Sequence, residues 1–482
     1  MSINSPFTTE TARHFINGEW VGGTEPKDSL NPATDEVLGT FYDADLAVAK
    51  LAIAAADTAF TTLDWAENRE LRAKVLWELG AAIEANLKKL ALAISLENGK
   101  PLGQAQFELS IAAPKLRYFA GLALTDSGSA AHVYPGATSM LLKEAVGVAG
   151  VIVPWNSPAI LAIRSIAPAL AAGCTVVVKM PAQTALTNAL LAETFASVES
   201  LPAGVINMFT ESGDAGAKEL VASDDVPVLS YTGSTAVGTR IAIAAGEKLK
   251  KVSLELGGKT PMIVFADSNL DEVVPVLVAA VTTFAGQFCM TGSRVLAERS
   301  IADELQHRLV DELSKVRVGA GTDPDTQLGP LIDHAAATRV DGIVAALGED
   351  AVALRGGLTD GAGAFFRPAL INVFDLHSPL IQEEVFGPVV TFEIFDSEDQ
   401  AINRANATKY GLSASVWTKD GARSQRVAEG IEAGTVWINS WAQILDQFEE
   451  GGYKKSGIGR LNGPGGLAEF QEVKHIYRST VS

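Results

Sequence analysis

The fold of this chain is constrained most by an alternation, over residues 146–256, of short β-rich runs with longer amphipathic segments. Strands are predicted at residues 148–153, 175–179, 205–209, 226–231 and 251–256. Helices are predicted at residues 159–171, 187–198, 215–222 and 235–245. Because strands joined by crossover helices pair in parallel and are covered on both faces, the pattern predicts a doubly wound, Rossmann-like α/β unit.

A second α/β region follows this unit. Its clearest elements are helices near residues 270–284 and 302–315 and a strand near residues 435–439. Two further segments, residues 127–144 and 472–482, are predicted to be strands that extend from the main domains. The chain is therefore expected to contain two α/β parts and a small β part.

Length and composition limit the class of protein. A chain of 482 residues is long enough for two or three domains, each with its own core. Hydrophobic residues at 47% and charged residues at 20% are typical of globular proteins, which excludes a largely disordered chain. The net charge of −19 repels phosphate backbones and anionic lipids, so neither a nucleic-acid nor a membrane partner is expected.

The chain has two cysteines, Cys174 and Cys289, and neither lies in a CxxC or Cys/His cluster. A disulfide framework or a metal site is therefore not expected. The first eleven residues lack the pattern of a secretory signal, and no apolar run reaches the roughly 18 residues that a membrane span needs. We expect a soluble, cytoplasmic protein.

The two cysteines differ in their neighbours. Cys174 lies in the apolar run 171–178 and is predicted to be a core residue. Cys289 follows Gly286 and the polar Gln287, in a segment that otherwise reads as the buried end of a helix. Taken alone, this context leaves two alternatives for Cys289, a small core residue or a nucleophile.

Two polar side chains lie at the ends of predicted strands. Asn156 follows the strand at residues 148–153, and Glu255 lies at the end of the strand at residues 251–256, before two glycines. Open α/β sheets place their ligand-contacting loops at such strand ends. The alternatives are a helix cap for Asn156 and an ordinary solvated strand end for Glu255.

Residues 231–238 (Tyr-Thr-Gly-Ser-Thr-Ala-Val-Gly) combine a predicted strand, a glycine turn and the start of a helix. Backbone N–H groups at a helix N-terminus of this kind can bind a phosphate. The segment does not match GxGxxG, and a Gly-Ser-Thr turn also serves as a plain helix cap. The order of these motifs along the chain is more specific than any one of them.

That order resembles the NAD(P)-dependent aldehyde dehydrogenase superfamily, from about Phe15 to Tyr477. Cys289 follows Glu255 by 34 residues, as in the family pattern. Residues 164–170 are similar to those of the benzaldehyde and vanillin dehydrogenase branch. The resemblance rests on seven ordered segments, which are residues 154–156, 233–238, 255–259, 286–289, 383–388, 434–439 and 451–457.

The resemblance implies catalytic roles for three residues. Cys289 would attack the aldehyde carbonyl as a thiolate, and the Asn156 amide with the Cys289 backbone N–H would stabilise the oxyanion. After hydride transfer to the nicotinamide, Glu255 would activate the water that hydrolyses the thioester. The presence of Glu255 favours a carboxylic acid product over transfer to coenzyme A.

The resemblance also implies contacts with the dinucleotide. Lys179 would face the adenosine ribose, Ser234 the pyrophosphate, and Glu384 with Phe386 the nicotinamide ribose and ring. The alternatives are a surface charge for Lys179 and Glu384 and a core residue for Phe386. The cofactor-binding residues implied in this way are Val153, Pro154, Trp155, Lys179, Ala182, Gly213, Gly233, Ser234, Leu256, Glu384 and Phe386.

The chain departs from the family pattern at three places. Ala182 replaces the usual ribose-binding glutamate, and because a carboxylate there repels a 2′-phosphate, its loss admits NADP beside the expected NAD. Arg164 and Ser165 replace a Trp-Lys pair, so a proton relay through that lysine cannot be carried over. Glu449 and Glu450 replace a Pro-Phe pair before the Gly-Gly-Tyr-Lys segment, so the tunnel mouth or a subunit contact is expected to differ.

A hydrophobic or aromatic aldehyde is the expected substrate. Two other functions remain as alternatives, a coenzyme A-acylating aldehyde dehydrogenase and a catalytically silent binding protein of the same fold. The joint presence of Cys289, Glu255 and Asn156 disfavours the silent protein. The predicted tunnel residues, which are mostly apolar, are Ser157, Ile160, Leu161, Phe288, Met290 and Trp441.

The resemblance implies an aldehyde dehydrogenase fold of three parts. Residues 1–126 and 145–257 would form a Rossmann-like NAD(P)-binding domain, and residues 258–446 a second α/β domain that carries the catalytic cysteine. Residues 127–144 and 466–482 would form a small β extension. In the family such strands join subunits, so a homodimer or homotetramer is expected.

Overall fold

A computed structural model describes residues 5–8, 10–23 and 25–480. Residues 1–4, 9 and 24 of the predicted NAD(P)-binding domain and residues 481 and 482 of the predicted β extension lie outside the described residues. The described chain forms two large sheets covered by helices and several small sheets. The division into three domains stays a prediction.

The first large sheet has five parallel strands at its centre and short antiparallel strands at its edges. Numbered along the chain, the parallel strands lie in the order 3-2-1-4-5, which is a doubly wound arrangement. The parallel sheet predicted from the sequence is confirmed. In spatial order its eight strands are Glu19–Val21, His14–Ile16, Ile206–Glu211, Thr175–Pro181, Val148–Ile152, Val228–Thr232, Lys251–Glu255 and Gly457–Ile458.

The direction of winding reverses between the neighbouring strands Val148–Ile152 and Val228–Thr232. In open α/β sheets ligands bind in the crevice beyond the carboxyl ends of the strands at such a point. Both strands are buried almost throughout, which their apolar sequences require. The segments that contain Asn156 and Ser234 follow these two strands directly and therefore border the crevice.

Helices cover both faces of the first sheet because its strands present apolar side chains in both directions. Val176 and Val178 pack into one hydrophobic cluster and Val177 into another, as the two-residue period of a strand requires. The helices of this half of the chain are Leu46–Thr62, Arg69–Asn98, Leu102–Ser110, Ala112–Thr125, Pro158–Ala172, Ala185–Ala196, Ala215–Ala222 and Thr235–Glu247.

The second large sheet has six parallel strands and one antiparallel edge strand. In spatial order its strands are Val352–Leu354, Ala369–Asn372, Val389–Phe395, Arg294–Glu298, Pro261–Val264, Ser413–Trp417 and Thr435–Ile438. The helices of this half are Leu270–Thr282, Arg299–Ser314, His334–Ala345, Pro379–Gln382, Glu398–Asn406, Gly421–Gly430 and Gly463–Ala468. Within the part of the chain that the structure describes, no helix is both long and apolar enough for a membrane span.

Four smaller sheets complete the fold. The three-stranded sheet joins Ser129–Tyr134, Ala137–Ala145 and Gln471–Ser479 in antiparallel register, which confirms the strands predicted in these segments. The two-stranded sheets pair Pro26–Leu30 with Val37–Tyr42, Gly357–Leu358 with Phe366–Arg367, and Tyr410–Gly411 with Tyr453–Lys454. Single helical turns of the 3-10 type lie at Ala182–Thr184 and Glu349–Ala351, and Thr283–Gly286 forms a turn with a left-handed backbone.

Candidate active site

Cys289 lies in a tight loop after the helix Leu270–Thr282, which ends two residues before the predicted end. The chain leaves the helix because Phe284, Ala285 and Gly286 have positive φ values of 52°, 55° and 69°. A left-handed backbone is unfavourable for residues with a Cβ atom, so the surroundings must hold this conformation. A Cβ atom at Gly286 would also lie 2.4 Å from the carbonyl carbon of Gly387. The loop leaves Cys289 half-buried.

Asn156 faces the cysteine loop. Its amide Nδ2 donates to the carbonyl oxygen of Gln287 at 2.9 Å, two residues before Cys289. Gln287 is itself fixed, because its Oε1 accepts from the backbone N–H of Ile332 at 2.9 Å. The amide group has two N–H donors, so one remains for a ligand beside the cysteine.

The helix cap considered for Asn156 is not observed. The helix Pro158–Ala172 has no side-chain hydrogen bond from its N-cap residue. Instead, Glu108 Oε1 accepts from the backbone N–H groups of Ala159 and Ile160, at 3.1 and 3.3 Å. The Asn156 side chain is therefore free of helix capping and available to the cysteine loop.

A buried lysine lies beneath Asn156. Lys100 Nζ donates to the backbone oxygen of Asn156 at 2.6 Å and to Glu108 Oε2 at 2.7 Å, and it lies 3.8 Å from the ring centre of Phe284. The sequence analysis missed Lys100 and Glu108. No sequence motif indicates them, because Lys100 and Glu108 are brought to Asn156 only by the packing of segments that are distant in the sequence.

Glu255 is the last residue of the strand Lys251–Glu255 and is buried. Its Oε1 has no hydrogen-bond partner, although it is removed from solvent. Burial raises the pKa of Glu255 from 4.5 to about 8, the positive charge of Arg164 lowers it, and the negative charge of Glu450 raises it further. The solvated strand end considered from the sequence is therefore wrong.

Replacing Glu255 with glutamine is expected to stabilise the fold most at alkaline pH. A carboxyl group whose pKa is raised on folding destabilises the fold as the pH rises from the unfolded pKa, near 4.5, to the folded pKa, about 8. The Glu255→Gln variant should unfold a few degrees above the wild type at pH 9 and close to it at pH 5. Thermal unfolding followed by circular dichroism measures this difference. The exposed Glu247→Gln is the control, and an equal gain at both pH values would contradict the expectation.

The thiol of Cys289 is protonated at neutral pH in this environment. Burial raises its pKa to about 12, while the positive charge of Arg164 opposes the shift. A thiol in this state is a weak nucleophile until a base accepts its proton. The carboxylates of Glu384, Glu450 and Glu255 all act on the charge of the Cys289 thiol.

Two of the departures noted in the sequence meet in space. Arg164 Nη1 donates to Glu450 Oε1 at 2.8 Å, and both side chains are buried. Arg164 Nη2 also donates to Thr232 Oγ1 at 2.9 Å. The positions differ by 286 residues along the chain, so no sequence pattern could pair them.

Residues expected at the nicotinamide end of the cofactor gather beside the cysteine loop. Trp155 and Phe386 make an edge-to-face ring contact at 5.6 Å and 82°, and Phe386 has a positive φ of 51°. Glu384 is half-buried, and its Oε1 accepts from the backbone N–H of Gly258 at 3.2 Å. Burial raises the pKa of Glu384 to about 7, so it is not the surface charge considered from the sequence. A pocket beside Cys289 is lined by Gly258, Gly286, Phe288, Glu384 and Phe386.

The phosphate-binding segment begins the helix Thr235–Glu247. Ser234 is its N-cap residue, and its Oγ accepts from the backbone N–H of Val237 at 3.4 Å, so the helix-cap alternative is observed. Ser234, Ala236 and Val237 are exposed, so the N-terminus of this helix is accessible to a phosphate. A Cβ atom at Gly233 would lie 2.2 Å from the hydroxyl of Tyr231, so the turn requires glycine.

The other residues assigned to the cofactor lie along the same edge of the sheet. The backbone oxygen of half-buried Lys179 accepts from the N–H of Val153 at 3.0 Å, and burial lowers the pKa of Lys179. The Leu256 side chain packs against Gly238 in the helix that Ser234 caps. Pro154 follows Val153, Ala182 begins a single helical turn, and Gly213 borders open space. This set fits an extended dinucleotide, with a helix N-terminus at its middle.

The predicted tunnel residues fall into two groups. Phe288 lies beside Trp441 at a ring distance of 6.1 Å, and Trp441 Nε1 donates to the backbone oxygen of Met290 at 3.0 Å. These residues form one hydrophobic cluster with Cys289. Ser157, Ile160 and Leu161 lie instead at the start of the helix Pro158–Ala172, where Ile160 is buried and Leu161 packs against the main core.

No metal site accompanies this arrangement in the described ranges, 5–8, 10–23 and 25–480. No three His, Cys, Asp or Glu side chains there are grouped so that they could hold an ion. The polar groups around Cys289 are an amide, a guanidinium and carboxylates. They can stabilise an oxyanion and move protons near a thiol.

Comparison with known proteins gives concordant matches. The aldehyde dehydrogenase family profile matches residues 20–476. Over 478 residues the chain is 38% identical to betaine aldehyde dehydrogenase of Bacillus subtilis (strain 168), and the match covers 97% of each protein.

Solved structures agree with this match. Betaine aldehyde dehydrogenase from Staphylococcus aureus in complex with NAD+ is 35% identical, has a TM-score of 0.95, and the match covers 99% of this chain and 96% of that one. An NAD-dependent aldehyde dehydrogenase from Sinorhizobium meliloti is 34% identical, has a TM-score of 0.94, and the match covers 98% and 96%. These matches confirm the fold expected from the sequence.

Proposed function

The chain belongs to the aldehyde dehydrogenase family, and from this premise we propose that it oxidises a hydrophobic or aromatic aldehyde to the carboxylic acid through a covalent intermediate on Cys289. The observation that carries the proposal is the hydrogen bond from the Asn156 amide to the cysteine loop, with the buried Glu255 carboxyl near enough to act on the charge of the Cys289 thiol. Asn156 and Glu255 are buried and Cys289 is half-buried, which strengthens the electrostatic interactions between them.

The first step is attack of the Cys289 sulfur on the aldehyde carbon. Because the pKa of the thiol is about 12, its proton must leave before the attack, and Glu255 is the base proposed to accept it. The carbonyl oxygen gains negative charge as the C–S bond forms. The free N–H of the Asn156 amide and the backbone N–H of Cys289 are proposed to stabilise that charge.

The cofactor site is proposed to hold NAD. Lys179 would bind the adenosine ribose, the helix end at Ser234 the pyrophosphate, and Glu384 the nicotinamide ribose. When bound, the nicotinamide supplies the acceptor for the hydride that leaves the substrate carbon. Ala182 presents no carboxylate to repel a 2′-phosphate, so rates with NAD and NADP should be compared directly. The Staphylococcus aureus relative, which is in complex with NAD+, supports NAD.

The second half of the proposed reaction releases the acid. Glu255 accepts a proton from water, the water oxygen attacks the thioester carbon, and the C–S bond breaks to regenerate Cys289. A pKa of about 8 allows Glu255 both to accept and to release a proton near neutral pH. Product analysis with and without coenzyme A tests this step, because an acyl-coenzyme A product would favour the acylating alternative.

Replacing Asn156 with alanine is expected to lower kcat by about 10²–10³-fold, because one oxyanion donor is lost. Steady-state reduction of NAD at saturating aldehyde measures the effect. Asn207→Ala is the control, since Asn207 is also buried and donates to backbone oxygens, but it lies between Val176 and Gly204, away from the cysteine loop. If Asn156→Ala retains the wild-type kcat, the oxyanion role of Asn156 is wrong.

Aromatic rings beside Cys289 are the basis of the proposed substrate class. Phe288 and Trp441 offer apolar faces and edges to a substrate substituent. The same rings could face a quaternary ammonium group, which aromatic faces attract, and Glu450 has a buried carboxylate oxygen without a partner. An aldehyde with a quaternary ammonium group, as named for the Bacillus subtilis relative, is therefore the second candidate.

A substrate panel separates these candidates. The panel contains benzaldehyde, a terpenoid aldehyde, hexanal, betaine aldehyde and succinic semialdehyde, each with NAD and with NADP. The highest kcat/KM is expected for an aryl or terpenoid aldehyde. A higher value for betaine aldehyde would establish the second candidate, and a higher value for the semialdehyde would refute both.

Assembly into a homodimer or homotetramer is proposed through the three-stranded sheet. All six residues of its edge strand Ser129–Tyr134 are exposed, and the hydroxyls of Tyr134 and Tyr477 make contact across the sheet. Such an edge is a template for pairing with another strand. The number of subunits and the cytoplasmic location stay predictions.

A further inference from the structure

We propose that the buried Arg164–Glu450 ion pair is a positioning device for Glu255, in which Arg164 stabilises the carboxylate form of Glu255 and Glu450 limits that stabilisation. This inference rests on the proposed role of Glu255 as the base that activates water. It assigns a joint function to two positions at which the chain departs from the family pattern.

The guanidinium of Arg164 lies close to the strand that carries Glu255. Arg164 Nη2 lies 2.9 Å from Thr232 Oγ1, and Thr232 is the register partner of Glu255 on the neighbouring parallel strand. Register partners point to the same face of a sheet, and neighbouring strands lie about 4.8 Å apart. Arg164 therefore lies on the face of the sheet that carries the Glu255 side chain, one strand away.

Glu450 is held on the other side of the Glu255 strand. Glu450 precedes two glycines and the strand Gly457–Ile458, and Leu461 follows that strand. Backbone hydrogen bonds at 2.8 and 2.9 Å join Glu450 to Leu461. That strand pairs with the end of the Glu255 strand, where Gly457 is the register partner of Glu255. Glu450 is thus tied to the strand that flanks Glu255 on the side away from Thr232.

The ion pair and Glu255 share an unusual feature, which is a set of buried polar atoms without partners. Arg164 Nε, Glu450 Oε2 and Glu255 Oε1 are all buried and have no hydrogen-bond partner. A pair with a purely structural role is expected to satisfy its donors and acceptors, since an unsatisfied buried polar group is unfavourable. Here each of the three side chains has a buried polar atom that makes no hydrogen bond. Such atoms are available to bind water or to take part in proton transfer.

The charges around Glu255 come from several elements. Arg164 from the helix Pro158–Ala172 and Arg460, next to the strand Gly457–Ile458, favour its ionised form, whereas Glu450 disfavours it. The charges of Arg164, Glu450 and Glu255 also act on the Cys289 thiol, as does that of Glu384. Removing one member of the ion pair therefore shifts the balance in a direction that depends on its sign.

The inference is tested on acyl-enzyme decay. The enzyme reacts with one equivalent of benzaldehyde, or the best substrate of the panel, and excess NAD. Acid-quenched samples are then analysed by intact-protein mass spectrometry across the pH range. The decay rate is expected to rise with pH, and its midpoint should fall by about 1 pH unit in Glu450→Gln and rise by about 1 unit in Arg164→Met. The double variant should return close to the wild-type midpoint.

The controls separate this inference from a structural role. Glu449→Gln is the matched control, because Glu449 is adjacent but exposed and its Oε1 accepts from the N–H of Gly465. This variant should keep the wild-type midpoint. If Arg164→Met does not fold, the lower pH midpoint of acyl-enzyme decay in Glu450→Gln tests the inference alone. Glutamine preserves the shape of the glutamate side chain, so this variant is expected to fold.

Two results have distinct meanings. An unchanged midpoint in Glu450→Gln, or shifts of the same sign in both single variants, overturns the positioning role of the ion pair. Rapid acyl-enzyme decay in Glu255→Gln overturns the proposed function of Glu255 instead. The second result is obtained without any change to the ion pair, so the two failures are distinguishable.

Discussion

Replacing Cys289 with alanine is expected to abolish aldehyde oxidation, with kcat lower by at least about 10⁴-fold. The expected loss is this large because alanine has no group that can bond to the aldehyde carbon, so no later step of the proposed reaction can begin. Absorbance of the reduced nicotinamide, followed with the best aldehyde of the panel, measures the rate. Mass spectrometry of the variant should also show no acyl adduct.

The second cysteine provides the matched control. Cys174 is fully buried, and its Sγ donates to the backbone oxygen of Phe470 at 3.4 Å in the core of the first half of the chain. Cys174→Ala is expected to keep the wild-type kcat, with a loss of unfolding free energy of about 1 kcal/mol. If Cys289→Ala turns over at the wild-type rate, the covalent mechanism is wrong.

The Glu255→Gln variant is expected to stop after one turnover. Loss of a general base lowers steady-state turnover by about 10²–10⁴-fold, because the thioester is no longer hydrolysed efficiently. A stopped-flow experiment should still show a burst of up to one reduced nicotinamide per subunit, formed slowly if Glu255 also deprotonates the thiol. Acid-quenched protein should carry the acyl group.

The exposed Glu247→Gln serves as the control for this variant and should turn over like the wild type. A burst that is followed by wild-type turnover in Glu255→Gln would remove Glu255 from deacylation. A thioester that accumulates until coenzyme A is added would instead support the acylating alternative. The two results are separated by adding coenzyme A after the burst.

Much of the fold follows from local patterns in the sequence. The strands of the parallel sheet are short apolar runs between amphipathic segments, so their type and the doubly wound arrangement were predictable, whereas their spatial order was not predicted. Because open α/β sheets place ligand-contacting loops at strand ends, Asn156 and Glu255 could each be assigned to such a loop. Their joint approach to Cys289 required the family resemblance, since the cysteine belongs to the other half of the chain.

The parts that escaped prediction depend on contacts between distant segments. Phe284 and Ala285 are compatible with a helix, and no local pattern signals the turn that ends it early, where Gly286 lies close to the backbone of Gly387. The contact between Lys100 and Asn156 and the pair formed by Arg164 and Glu450 have the same origin. Each is a charged side chain that reads as exposed in the sequence and is buried by tertiary structure.

The edge strand Gly457–Ile458 has a consequence for the order in which the molecule is made. It pairs with the strand that ends at Glu255, although the ribosome synthesises it about two hundred residues later. At 5 to 20 residues per second, roughly 10 to 40 seconds separate the two strands during translation. Throughout that interval the strand that ends at Glu255 lacks its neighbour on this side. The surroundings of Glu255 are therefore completed only when synthesis is nearly finished.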